Sequence, residues 1–185
     1  MEMIDLRNRD GSLTGETKER ELVHRDGDLH GTSHVWIVRK DPQGQCEILL
    51  QKRSADKDAF PGCYDISSAG HIPAGQDYME SALRELWEEL GICAEEADLH
   101  FLGWNYYCFD EVFYGKEFRN REISKVYLYC KPVDTGELKL QKEEVEAVLW
   151  MNLEECSGKI TKKDPAFCVM EEELDLIRRH YKKYL

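Results

Sequence analysis

The sequence has no apolar run long enough to cross a bilayer. Met1 is not followed by the charged and then apolar stretches of an export signal. These absences set the expectation of a cytoplasmic protein with no membrane partner. Seven cysteines are present, but no two are spaced as Cys-x-x-Cys. That argues against a zinc knuckle or a local dithiol motif and leaves reduced, mostly buried thiols as the expectation. Positive charge is also scarce: 25 Lys and Arg against 37 Asp and Glu give a net charge of −12. Such a surface disfavours nucleic acid polymers and anionic membranes. It does not exclude a nucleotide, because a bound divalent ion reverses the sign locally. No internal repeat or low-complexity segment is visible, and one domain, 1–185, is the simplest division. A chain of this size buries roughly 70% of its unfolded surface, enough for a core.

The patterns that are present predict a layered α/β domain. Strands are expected at 3–6, 34–39, 47–51, 64–67, 124–129 and 147–151, with strand-like alternation over 102–113. Turns are expected around 8–11, 42–45, 60–62 and 114–116. The stretch 1–28 reads as one strand followed by a polar extension. A helix is expected over 78–90, ended by Gly91 as a left-handed cap. Another is expected over about 165–183, with Pro165 at its first turn. Phe167, Met170, Leu174, Ile177 and Tyr181 recur there at spacings of three and four, the pattern of a core-facing stripe. The aromatic run 104–109 fits three roles equally: a stacking surface for a base, core, or a dimer strand. A homodimer is therefore compatible with the sequence.

The chemistry concentrates at 84–92, Arg-Glu-Leu-Trp-Glu-Glu-Leu-Gly-Ile. Glu85, Glu88 and Glu89 fall on one helical face at spacings of three and four. Like charges so placed repel by a few tenths of a kcal/mol per pair. A cation offsets that cost, and clustered carboxylate oxygens suit a hard ion such as magnesium, which in turn suits a phosphorylated substrate. The plainer reading, a solvated acidic face, explains the charges. It does not explain the glycines at both ends or Arg84 beside Glu85.

The stretch from Gly70 to Ile92 resembles the Nudix signature, G-x5-E-x7-R-E-U-x-E-E-x-G-U, where U is aliphatic. Gly70, Arg84, Glu85, Leu86, Glu88, Glu89, Gly91 and Ile92 match; Gln76 stands where the pattern has its first glutamate. The resemblance covers roughly 29–155. It implies an α/β/α sandwich around a mixed sheet and a MutT-like hydrolase of acid anhydrides that uses Mg2+, with Mn2+ as a substitute. It implies metal ligands at Glu85, Glu88, Glu89 and the carbonyl of Ala69, with Arg84 holding Glu85 by an ion pair. The implied catalytic set is Glu85, Arg84 and Glu88. The general base is Glu85 or a downstream acid: Glu122, Glu143, Glu144 or Glu146.

A narrower resemblance is to type I isopentenyl diphosphate isomerases, which share the Nudix fold. It rests on His24, His30, Arg53, Lys57, Pro61-Gly62, Gly70-His71 and Glu122. It implies Arg53 and Lys57 as a diphosphate grip and His30, His71 and Glu122 as substrate contacts. His24, His30, His71 and Glu122 would form a second metal site, with Asn120 replacing another glutamate. The isomerases need a cysteine just before the Gly-His pair. Here that residue is Ala69, which carries no proton. The expected function is thus Mg2+-dependent hydrolysis of a diphosphate in a nucleoside diphosphate-X or related small molecule. The alternatives are an isomerase-like enzyme and a non-catalytic ligand sensor.

Overall fold

The computed structural model describes residues 2–185. The chain opens with a hairpin, β1 (Met3–Arg7) and β2 (Leu13–Glu19), then a short helix, α1 (Arg20–Asp26). Strands β3 (His30–Lys40), β4 (Cys46–Arg53), β5 (Tyr64–Asp65) and β6 (Ser68–His71) lead into α2 (Tyr78–Leu90). A long hairpin follows, β7 (Leu99–Phe113) and β8 (Lys116–Tyr129). Strand β9 (Val145–Asn152) and helices α3 (Leu153–Thr161) and α4 (Glu171–His180) complete the fold. Among the described residues, no helix is long and apolar enough to cross a membrane.

The organising element is β3. One edge runs parallel to β8, from His30 against Glu122 to Ile37 against Tyr129. The other edge is antiparallel to β6 over Thr32–Val35 and to β4 over Val38–Lys40. The sheet is therefore mixed. Side chains alternate across the pleat. Val35 and Ile37 meet Ala82, Leu86 and Leu90 of α2 on one face. Trp36 and Val38 meet Leu153, Leu174 and Ile177 of α3 and α4 on the other. The result is an α/β/α sandwich. Helix α2 buries Tyr78, Ala82, Leu86 and Leu90 at four-residue intervals, each large aliphatic contributing roughly 1.5–3 kcal/mol. Asp77 caps it by accepting from Glu80 N at 2.8 Å. Gly91, at φ 71°, ends it in the left-handed conformation.

A polar network lies in the second layer. Glu173 is fully buried. Its carboxylate accepts from His34 Nδ1 at 2.7 Å, Trp36 Nε1 at 2.7 Å and Asn105 Nδ2 at 2.8 Å. Burial alone would lower the His34 pKa, but the charge and hydrogen bond of Glu173 outweigh it and raise it to about 9. The same pairing outweighs burial at Glu173 and lowers its carboxyl pKa.

Four expectations need correction. The helix expected from Pro165 begins at Glu171. Residues before it pair with β5 instead: Tyr64 N donates to Ala166 O at 2.7 Å, and Cys168 N donates to Tyr64 O at 3.0 Å. Of the predicted stripe, Leu174 and Ile177 are fully buried on α4, while Phe167 packs on the core from outside the helix. The polar extension of 1–28 is ordered as β2 and α1. Strand β2 is polar and mostly exposed, and is formed by pairing with β1 rather than by an apolar pattern. Helix α3 gave little signal because Ser157 and Gly158 are weak helix formers; Asn152 starts it by accepting from Glu154 N and Glu155 N. Finally, the thiols are not mostly buried: Cys46 and Cys156 are, whereas Cys93 and Cys108 are exposed.

Candidate active site

The acidic residues of α2 and the loops beyond the sheet enclose a cavity of about 390 Å3. Glu85, Glu88 and Glu89 line it together with Ala69, Gly70 and His71. Glu89 is almost fully buried. It accepts weakly from Ala69 N at 3.3 Å and Gln51 Nε2 at 3.4 Å. Burial, with the nearby charge of Glu85, pushes its carboxyl up to about 8. Burial also raises Glu85, to about 7, although the Arg84 guanidinium opposes the shift. Arg84 forks between the acids, reaching Glu85 Oε1 at 2.8 Å and Glu88 Oε2 at 2.9 Å. It also donates to the His71 carbonyl at 3.3 Å, which ties α2 to β6.

Gly70 explains itself sterically. Its backbone is not left-handed, yet a Cβ there would lie 2.1 Å from Glu85 Oε1 and 2.2 Å from Cδ. The Glu85 carboxylate occupies the space a side chain would need. Gly70→Ala should therefore displace Glu85 from Arg84. A misplacement of this kind costs about 10²-fold in turnover, with about 1–3 kcal/mol of overpacking. Steady-state kinetics and urea denaturation of the variant check this. Wild-type turnover would show that the position of Glu85 is unimportant.

A second group lies beside the first. His24, His30 and His71 bring their ring nitrogens within 4.8 Å of one another. His24 Nε2 is 3.2 Å from His71 Nε2. Glu122 Oε1 is 3.8 Å from His30 Nε2 and 4.0 Å from His71 Nε2. His30 Nδ1 donates to Asp28 O at 2.9 Å, leaving the Nε2 lone pair aimed at the group. Burial lowers all three: His24 to about 3, His30 below its ordinary value, His71 well below it. The imidazoles are neutral near pH 7, the form that ligates metals. Asn120 is buried nearby, with its Oδ1 unpartnered.

A family profile described as the NUDIX domain matches residues 31–170. The chain belongs to the Nudix family. It is 43% identical over 177 residues to Nudix hydrolase 3 of Arabidopsis thaliana, a match covering 90% of this chain but only 21% of that protein. It is 33% identical over 162 residues to an uncharacterised Nudix hydrolase of Clostridium acetobutylicum, covering 88% of this chain and 75% of that one. In structure it is similar to DR0079 of Deinococcus radiodurans, with a TM-score of 0.65 at 20% identity, covering 97% and 99% of the two chains. The last likeness concerns the fold. Nudix hydrolases act on pyrophosphate bonds.

Within this Nudix cavity the other expected residues differ in availability. Arg53 and Lys57 line it, but neither is free. Arg53 binds Asp65 at 2.9 Å and the Ala59 carbonyl at 2.9 and 3.0 Å. Lys57 is paired with Glu144. Glu122, Glu143 and Glu144 line the cavity, whereas the exposed Glu146 pairs with Lys52. The aromatic run is divided by the pleat of β7: Trp104 and Tyr106 are exposed, while Tyr107 and Phe109 face the cavity. Phe60 packs on Phe109 at 5.3 Å and, with Phe118, extends an aromatic wall. The sequence reading offered Tyr107 and Phe109 as part of a stacking run but missed Phe60 and Phe118, as well as Arg20, which lines the cavity, and Gln51, which donates to Glu89. Gln51 could have been found as the polar residue that continues the apolar run Ile48-Leu49-Leu50 of β4. Arg20 lies in the polar stretch whose structure gave no signal.

Proposed function

We propose that the chain is a magnesium-dependent pyrophosphohydrolase acting on a nucleoside diphosphate-X or a related small phosphorylated molecule. The observation that carries this reading is the donor set: the buried Glu89 and the largely buried Glu85 line one cavity with Glu88 and Ala69, whose carbonyl would complete the set. Oxygen donors alone, with two carboxyl pKa values raised by burial, fit a hard divalent cation. Magnesium, or manganese in its place, would supply Lewis-acid polarisation of the phosphoryl oxygens.

The chain's own groups provide the rest. Arg84 fixes Glu85 through Oε1 and Glu88 through Oε2, so neither carboxylate must reorganise. Glu85 Oε2 is left to accept the proton of an attacking water, with Glu122, Glu143 and Glu144 as the other acids facing the cavity. Lys57 and Arg53 would meet the diphosphate at the cavity rim, Lys57 by exchanging Glu144 for a phosphate. His71 and Glu122 line the cavity and would contact the substrate, whereas His30 is fully buried and does not line it, so its part would be played through them. A second reading applies to the same side: three neutral imidazoles within 4.8 Å would also hold a transition ion, which imidazole favours over magnesium.

The test is a panel of nucleotide sugars, dinucleotides, nucleoside diphosphates and triphosphates, and isoprenyl diphosphates. Phosphate and pyrophosphate release is followed with magnesium and with manganese, on dialysed protein whose metal content is measured first. Hydrolysis of a diphosphate compound is expected, with no deuterium entering isopentenyl diphosphate from solvent. Label in the substrate carbons, or no hydrolysis across the panel, would overturn the reading. Dialysed protein free of transition metal would reduce the histidines to substrate or structural contacts.

A further inference from the structure

Cys63 and Cys168 are far apart in sequence but flank one seam. Cys63 precedes β5, and Cys168 lies in the extended segment before α4. Tyr64 stitches the two through its N–H and carbonyl, at 2.7 and 3.0 Å. Each thiol then reaches across. Cys63 Sγ donates to Pro165 O at 3.4 Å, and Cys168 Sγ donates to Tyr64 O at 3.4 Å. Both side chains are half-buried. Cys168 lines the cavity, and the backbone of Arg53 binds the Cys63 carbonyl at 2.9 Å.

The other thiols are placed differently. Burial pushes Cys46 and Cys156 up to about 12 and Cys130 to about 11. Cys63 moves the opposite way. The neighbouring Cys168 thiol and the Arg53 charge favour its thiolate against burial, so that it falls to about 7. A thiolate of this kind, near ambient pH and reachable from solvent, is the nucleophilic form.

We propose that Cys63 and Cys168 are a peroxide-sensitive dithiol that closes into a disulfide between β5 and the segment before α4. The Cys63 thiolate attacks one oxygen of hydrogen peroxide; an S–O bond forms and the O–O bond breaks. The departing hydroxide takes a proton and leaves as water. The Cys168 sulfur then attacks the sulfenic sulfur of Cys63; an S–S bond forms, the S–O bond breaks, and hydroxide leaves with the Cys168 proton as a second water. Two thiols lose two electrons, and the peroxide gains them. The bond would clamp the cavity wall that carries Cys168.

The full chain is treated with hydrogen peroxide, its remaining thiols are alkylated in denaturant, and its peptides are mapped without reductant. The seven free thiols should fall to five, with the Cys63 and Cys168 peptides joined and a reductant restoring all seven. Closing so long a loop should raise the thermal midpoint of the oxidised protein by several degrees. Cys63→Ser should show neither the crosslink nor the rise. Oxidation confined to the exposed Cys93 and Cys108, or a disulfide between other cysteines, would overturn the proposal. The peptide map of the wild type decides this even if the variant folds poorly.

Discussion

Glu89→Gln is expected to lower turnover by roughly 10²–10³-fold, the usual effect of removing one preorganised electrostatic group, while the protein stays folded. The reason is its position. Glu89 is the most buried acid of the cavity, so solvent cannot replace its oxygen toward a cation. Glutamine keeps the shape and can still accept from Ala69 N and Gln51 Nε2. It removes a carboxyl whose pKa burial raises to about 8, a shift that costs stability at neutral pH, so stability there should be unchanged or slightly higher. Glu88→Gln should be milder, because the Glu88 side chain is 47% exposed and already shared with Arg84. Turnover measured over a magnesium titration, with a parallel melting curve, separates the two. Near wild-type turnover in both variants at saturating magnesium would mean that the acids are a solvated helix face and no more.

Glu173→Ala is expected to cost about 3–5 kcal/mol, the range for removing one partner of a buried ion pair. Three donors lose their acceptor at once: His34, Trp36 and Asn105. The wild type should also carry a distinctive pH profile. His34 is raised from 6.5 to about 9. Its contribution is complete below 6.5 and is lost as pH rises from 6.5 through 9. Glu173 is lowered from 4.5. Its contribution is present above 4.5 and is lost as pH falls through the lowered value. Stability from this pair should thus be greatest between 4.5 and 6.5 and decline toward 9. Urea denaturation at several pH values measures it. A variant that costs less than about 1 kcal/mol, the scale of an exposed pair, or that keeps the alkaline decline, would show that the network does not hold α4.

The site was legible where function imposes a fixed spacing. The helix from Tyr78 to Leu90 and its Gly91 cap could be read because the acids, the apolar stripe and the glycine reinforce one another. The reason for Gly70 could not, since it depends on where Glu85 comes to lie. The histidines could be named, but their convergence depends on β3, β6 and α1 being assembled. Elements stabilised by pairing rather than by their own pattern left little trace. Strand β2 is polar along its length. The segment before α4 looked helical because Pro165 is a good first-turn residue, yet the free edge of β5 offered it hydrogen bonds that outweighed that preference. The pairing of Cys63 with Cys168 was hidden for the same reason: sequence spacing does not record which edges meet.

Strand β3 sends Val35 and Ile37 to one layer, Trp36 and Val38 to the other, and holds His30 at its start opposite Glu122. Its length is therefore inherited as a unit. Inserting or deleting one residue between His30 and Val35 would turn every later side chain to the opposite face. Both cores would be exchanged, and the histidine would be carried out of step with the hydrophobic residues that anchor it. The turn at 41–45, which joins β3 to β4 and does not line the cavity, is free of that double constraint. Length variation among descendants of this chain should accumulate there, while β3 changes by substitution alone.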